Sequence, residues 1–280
     1  MLGTLYVVAT PIGNLEDMTF RAIRVLQTVD VIAAEDTRHT GKLLQHFQIK
    51  TPQVSYHEHN RTQRLPELLA QLQRGQSVAV VTDAGVPGIS DPGYELVSAC
   101  ADAGITVVPV PGASAVITAL IASGLPSDRF TFEGFLPTKG KERRDRLEAL
   151  ALESRTMVLY EAPHRVLQTL EDLSQTLSPE RSIVAARELT KMHEEFWRGT
   201  IAEAMKEFGD RQPQGEFTLV VAGAHVEQPI LSETAILAEL TDLLRQGLSR
   251  SSASRQLAER TALPRRQIYQ LALSIPEQET

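Results

Sequence analysis

Cys100 is the only cysteine in the 280 residues, which excludes a disulfide framework and fits a reducing cytosol. In ELVSACADAG it reads as a small core residue. Long apolar runs are also missing. The uncharged stretch from Val107 to Leu125 is broken by Pro109, Pro111 and Gly112. It reads as a buried strand, a turn and a buried helix, not as a membrane span. The opening MLGTLYVVATP has a strand pattern without a basic lead or a cleavage site, so no secretory signal is expected. Common site signatures are absent as well. After the first strand, ATPIGNLED carries a single Gly, so a dinucleotide-type G-x-G-x-x-G loop is excluded. There is no G-x-x-x-x-G-K-[ST] and no G-x-S-x-G.

What is present is ordinary for a soluble globular chain: 42% hydrophobic and 22% charged residues. The length allows two domains and a short appendage. The net charge of −7 argues weakly against a nucleic-acid partner. The charge is uneven, however. KGKERRDR (139–146) is basic, and Arg245, Arg250, Arg255, Arg260, Arg265 and Arg266 share their stretch with one acid, Glu259. Local patches govern binding, whatever the total.

Strand patterns at 4–10, 30–34, 52–56, 77–82 and 105–110 alternate with helical patterns at 19–28, 37–47, 61–74, 93–103 and 113–123. That order argues a mostly parallel sheet with helices on both faces. SGLPSDR (123–129) is a Gly/Pro/Asp-rich break. A second α/β block follows, with strands at 129–134, 155–160, 182–187, 194–198 and 216–222 and helices at 140–153, 163–176 and 200–208. Residues 223–232 read as a linker. The expected division is 1–124, 125–224 and a helical tail at 233–280. In the tail, SASRQLAERTALPRRQIYQLAL (252–273) predicts helix, turn at Leu263-Pro264, and helix. Arg265 and Arg266 open the second of these helices. The pattern suits a helix-turn-helix contact with nucleic acid and equally a helical hairpin packed on the body.

Open α/β sheets bind ligands beyond the carboxyl ends of their strands. Here those ends carry TPIGN (10–14), AEDTR (34–38), TDAGVPGISDPG (82–93) and PGASA (111–115). Three of the four combine Gly with Pro, so they bring bare, stiff backbone close to something. Apart from Arg38 they lack Lys and Arg, which disfavours a polyphosphate. A ligand with a cationic centre and an apolar-faced base suits them better.

LYVVATPIGNLEDMTFRAIRVL, VIAAEDTRHTGKLL, VVTDAGVPGISDPGYELV and VPVPGASAVITAL resemble the tetrapyrrole methylase superfamily. With FEGFLPTKGKERR, VLYEAPHRV and ARELTKMHEEFWRGT, the chain is most similar to a bacterial branch of small-subunit ribosomal RNA methyltransferases. The resemblance covers about 2–223 closely and the tail more loosely. It implies two α/β domains with S-adenosylmethionine in the interdomain cleft, a homodimer in the cytoplasm, and 2'-O-methylation of a cytidine ribose. By position it implies cofactor contacts at Gly85, Val86, Ile89 and Ser90. The superfamily's Gly-Asp-Pro becomes Gly85-Val86-Pro87 here; its Asp is absent, which leaves a backbone contact at Val86. PGAS supplies Ser114 and Ala115. Leu159 and Tyr160 match a cofactor-facing strand end, Phe217 and Thr218 lie near the adenine, and Pro11 and Gly13 line the floor.

A ribose hydroxyl is a poor acid, so a helper is plausible. AEDTR offers Glu35, Asp36 and Arg38, with an N-cap as the alternative for Asp36. YEAPHR offers Glu161 and His164, which could equally pack or cap. His57 and His59 share a face of YHEHN, but no third ligand is evident, so no metal is expected. Lys139, Lys141, Arg143 and Arg144 are the expected phosphate contacts, with Arg265 and Arg266 in the tail. The partner would be small-subunit ribosomal RNA or the small ribosomal subunit. Two other readings stay open: a small-molecule or protein methylase of the same fold, and a DNA-binding regulator with a ligand-sensing body.

Overall fold

The structure, a computed structural model, describes residues 1–224, 232–261 and 263–275. The chain divides into two compact units, Met1–Ala224 and His225–Thr280. The first unit opens with strands β1 (Thr4–Val8), β2 (Val31–Ala34), β3 (Gln53–Ser55), β4 (Val78–Val81) and β5 (Thr106–Val110). They form one parallel sheet in the order β3-β2-β4-β1-β5. Helices α1 (Phe20–Thr28) and α2 (Thr37–His46) cover one face, and α3 (Arg61–Gln73) and α4 (Tyr94–Asp102) cover the other. Strand alternation sorts the two cores. Ile32, Ala34, Ala79 and Val81 meet Leu26 and Leu43, whereas Val31, Ala33, Val78 and Val80 meet Leu68, Leu96 and Cys100. With both faces covered, β2 and β4 are buried at every residue, as their unbroken apolar sequences require.

The second sheet holds β6 (Phe130–Phe135), β7 (Thr156–Glu161), β8 (Ser182–Arg187), β9 (Glu195–Thr200) and β10 (Phe217–Val221), in the order β6-β7-β10-β8-β9. Only β6 and β7 run parallel; the other neighbours are antiparallel. One face packs on α6 (Gly140–Ala151), α7 (Val166–Thr176) and α8 (Ile201–Asp210). The other packs on α5 (Ala115–Ser123), whose Val116, Ala119 and Leu120 meet Val158, Val184, Ala186 and Val220. Thus α5 follows the last strand of the first sheet but buries its apolar surface on the second. Arg198 of β9 ties its end down by donating to the carbonyls of Ala122 (2.5 Å) and Ser123 (3.3 Å). A division at 124/125 separates the two sheets along the chain, but α5 belongs by packing to the second.

The expected linker, 223–232, lies mostly outside the described residues. The second unit contains α9 (Glu233–Arg245), α10 (Arg250–Arg260) and α11 (Arg265–Ser274). Ile236, Leu240, Ala253, Leu257, Ile268 and Ala272 form its core. Pro264 stands immediately before α11, where a missing N–H costs no helical bond. Among the described residues no helix is long and apolar enough to cross a membrane.

Candidate functional site

The carboxyl ends of β1 and β4 are joined. Thr10 N–H donates to the Gly85 carbonyl at 2.9 Å, and Gly85 N–H donates to the Thr10 carbonyl at 3.1 Å. The Thr10 hydroxyl adds a bond to the Thr82 carbonyl at 3.1 Å. Beyond Gly85 the loop folds on itself: Ile89 N–H reaches the Val86 carbonyl and Gly88 N–H the Pro92 carbonyl, both at 3.2 Å. Three glycines take positive φ along this path: Gly85 at +83°, Gly88 at +84° and Gly93 at +147°, where a Cβ would stand 3.0 Å from the Gly88 nitrogen. Pro87 and Pro92 stiffen the turns between them.

This loop forms one wall of a cavity of about 420 Å³ that opens between the two sheets. The first sheet contributes Gly85, Val86, Ile89, Ser90 and Asp91, and the start of α5 contributes Ser114 and Ala115. Facing them, the second sheet contributes Tyr160, Phe217 and Thr218, with His164 just past β7. Tyr160 and Thr218 are direct cross-strand partners, so β7 and β10 present their ends side by side. A bulge in β6 between Phe132 and Gly134 redirects Phe135 to the cavity. Its ring centroid lies 5.6 Å from that of Tyr160, and it is 51% exposed.

The electrostatics are lopsided. Three carboxylates gather at the ends of β2 and β4 and on the following loop. Asp83 N–H donates to Glu35 at 3.2 Å, and Asp36 N–H donates to Asp83 at 3.2 Å. Burial lifts the Glu35 carboxyl above its usual range. Asp91 is pushed up to about 7, by burial first and then by the charges of Glu35 and Asp83. Burial, with the Asp91 charge added, pushes Tyr160 up to about 12. The cation on the cavity wall, Lys191, is held by Glu188 and Glu216 at 2.8 Å each. The lining is therefore apolar, rich in accessible backbone and negative on one side. It fits S-adenosylmethionine, which carries sulfonium and ammonium charges and a flat base. It does not fit a polyphosphate.

Most of the sequence-expected cofactor residues line this cavity: Gly85, Val86, Ile89, Ser90, Ser114, Ala115, Tyr160, Phe217 and Thr218. Others are placed differently. Leu159 points to the opposite face of β7, into the core with Leu170 and Leu219, because strand neighbours alternate. Pro11 and Gly13 flank Ile12, which supplies the lining, and a Cβ on Gly13 would stand 2.4 Å from the Lys191 Cγ. Glu161 reaches the cavity edge but is no free base. Its oxygens accept from Thr169 Oγ1 (2.5 Å) and Ala162 N–H (2.9 Å), and Arg165 is 3.3 Å away. Asp36 caps α2 and pairs with Arg38 at 2.6 Å, and that pairing holds its carboxyl well below the usual range. His57 and His59 stack edge to face at 6.0 Å, and no group of three metal-binding side chains occurs among the described residues.

The basic residues divide. Lys139, just before α6, and Lys141 and Arg144 on it are exposed, as are Arg265 and Arg266 on α11. Arg143 requires a correction: it is buried and bonded to Asp172 (2.7 Å), Thr169 (3.0 Å) and the Pro137 carbonyl (2.8 Å). It faces the core side of α6, so its guanidinium is not available to phosphate. Sequence reasoning missed Asp91, Asp83, Phe135 and Lys191. The two Asp were visible only as turn residues, and Phe135 only as part of a strand.

Comparison with known proteins follows the same lines. Residues 4–205 match the model of the Tetrapyrrole (Corrin/Porphyrin) Methylases. The chain is 63% identical to a ribosomal RNA small subunit methyltransferase I of Synechocystis, over 98% of this chain and 99% of that protein. It is 49% identical to the protein of that name in Escherichia coli O157:H7, over 97% and 95%. Among solved structures, a uroporphyrin-III C-methyltransferase from Thermus thermophilus complexed with S-adenyl homocysteine shares the fold. Its TM-score is 0.56 at 19% identity, over 79% of this chain and 97% of that one.

Proposed function

The chain belongs to the tetrapyrrole methylase family, in its ribosomal RNA small subunit methyltransferase I branch, and from that premise we propose that it methylates the ribose 2'-oxygen of a cytidine in small-subunit ribosomal RNA. The observation that carries the reading is the cavity between the sheets, apolar within and negative at one wall. S-adenosylmethionine supplies the electrophilic methyl group when bound. Val86, Ile89 and Ala115 offer it apolar contact, the backbone around Gly85 and Ser114 offers polar contact, and Tyr160, Phe217 and Thr218 close the far side. In-line displacement demands fixed positions, and the doubly bonded Thr10–Gly85 junction holds one wall still. Phe135, half exposed at the cavity, gives the acceptor base a ring to stack on.

Lys139, Lys141 and Arg144 at the start of α6 would meet RNA phosphates, as would Arg265 and Arg266 of the helical unit. The protein would act in the cytoplasm as a homodimer. Ile117 and Ile121 of α5, 46% and 72% exposed, are apolar surface that a second copy would cover. The test is transfer of tritium from labelled S-adenosylmethionine to small ribosomal subunits that lack the modification. Label in RNA that blocks alkaline cleavage beside one nucleotide is the expected result. Label in a small molecule or a protein instead, with cofactor binding intact, would overturn the reading.

A further inference from the structure

We propose that Asp91 is the general base of the transfer, taking the proton of the acceptor hydroxyl. The inference rests on the function proposed above. Asp91 differs from the other carboxylates around the cavity. Glu161 has both oxygens engaged by Thr169, Ala162 and Arg165. Glu216 is paired with Lys191, Glu35 accepts from Asp83 N–H, and Asp83 accepts from Asp36 N–H. Asp91 lines the cavity with no protein hydrogen bond and no ion pair among the described residues. Its lone pairs are therefore open to whatever enters.

Its surroundings set its basicity. Glu35 and Asp83 face it from the ends of β2 and β4, and Tyr160 faces it from β7. His164, Glu161 and Lys191 share the cavity, and the Lys191 charge is spent on Glu188 and Glu216. A carboxylate that no cation stabilises, in a half-buried, negative corner, binds a proton more strongly than one in water. That makes it a competent acceptor near neutral pH. The proton balance is simple. As the acceptor oxygen bonds to the methyl carbon, whose bond to sulfur breaks with its electron pair left on sulfur, the hydroxyl proton passes to an Asp91 carboxylate oxygen. Tethering by Pro92 and Gly93 on one side and Ser90, at the positive φ of 60°, on the other fixes the carboxylate's approach.

The same placement gives a readout that needs no turnover. A cationic ligand in the cavity lowers the proton affinity of Asp91, so binding S-adenosylmethionine releases a proton. Calorimetry at pH 6.5 in two buffers of different ionisation enthalpy measures that release. Wild type should give up about half a proton, and Asp91→Asn none. Single-turnover transfer to unmodified small subunits should fall about 100-fold or more in Asp91→Asn. The pH inflection of the wild-type rate should vanish with it, while cofactor affinity stays within about threefold. Three results would overturn the inference: a rate and inflection unchanged in Asp91→Asn; cofactor affinity reduced tenfold with the saturated rate intact, which makes Asp91 a holder of the ammonium group; or loss of the inflection in His164→Gln instead. If wild type itself transfers no label to RNA, the functional reading fails and this inference with it. Label in wild-type RNA with an indifferent Asp91→Asn sinks the inference alone.

Discussion

Thr10 and Gly85 exchange both of their backbone hydrogen bonds, although they lie 75 positions apart in the chain. The exchange locks the exit of β1 to the exit of β4 and fixes one wall of the cavity. It also explains why Gly85 must be Gly: its φ of +83° lies in the left-handed region.

Gly85→Ala should cost about 1–2 kcal/mol of stability from that dihedral. The added Cβ would sit 3.4 Å from Ile12 Cγ2 and narrow the cavity. Cofactor affinity by calorimetry should fall about tenfold or more, and Gly85→Trp should abolish it. Unchanged affinity in both variants would remove this loop from the cofactor site.

Neighbouring arginines on α6 should behave oppositely. Arg143→Ala leaves Asp172 without its cation and strips Thr169 of a bond, so it should cost about 3 kcal/mol or more in urea unfolding. Arg144→Glu with Lys141→Glu removes only exposed charge and should leave stability within about 1 kcal/mol. The pair should weaken retention of small-subunit RNA and flatten its salt dependence. Equal retention at physiological salt would exclude this patch.

The Asp91 carboxyl titrates near 7 when folded, against an ordinary 3.8. Between those values the folded state holds a proton that the unfolded chain has lost. Stability from this group is therefore greatest at low pH and declines as pH rises through that window. Asp91→Asn should stabilise the protein at pH 8, by about 1 kcal/mol once the solvent-facing side of the carboxyl is allowed for, and change little below pH 4. Thermal melts at the two pH values check this; equal shifts at both would contradict the titration.

Cys100 is 0% exposed, and burial pushes its thiol up to about 11. Iodoacetamide at pH 8 should leave the native protein unmodified and label it fully in guanidinium. Rapid native labelling, read by mass spectrometry, would mean that α4 opens locally.

Much of the site was legible because it is written in local backbone chemistry. Gly and Pro after β1, β4 and β5 mark loops that bring main chain close to a ligand, and the loops do line one cavity. The strand and helix pattern was legible for the same reason, since periods of two and of about 3.6 are properties of neighbours in the chain. What a side chain faces is not local. Arg143 and Arg144 look alike in GKERR, yet one step around a helix of about 3.6 residues per turn buries one and exposes the other. Leu159 and Tyr160 differ by one step along a strand, and only Tyr160 reaches the cavity.

Some features were decided by tertiary structure alone. The apolar sequence of α5 says that it is buried, but only the assembled sheets say against which one. The second sheet's antiparallel pairs are set by which strands meet, and no strand carries that in its own residues. Asp91 is the clearest case. In sequence it is a turn residue of SDPG; its proton affinity comes first from burial in the cavity wall, then from Glu35, 56 positions earlier, and from Asp83 around the loop. By itself the sequence determined where backbone would turn, pair and coil, because those preferences belong to each residue and its neighbours. The structure determined which charges share a wall, because Coulomb interactions depend on distance in space and not along the chain.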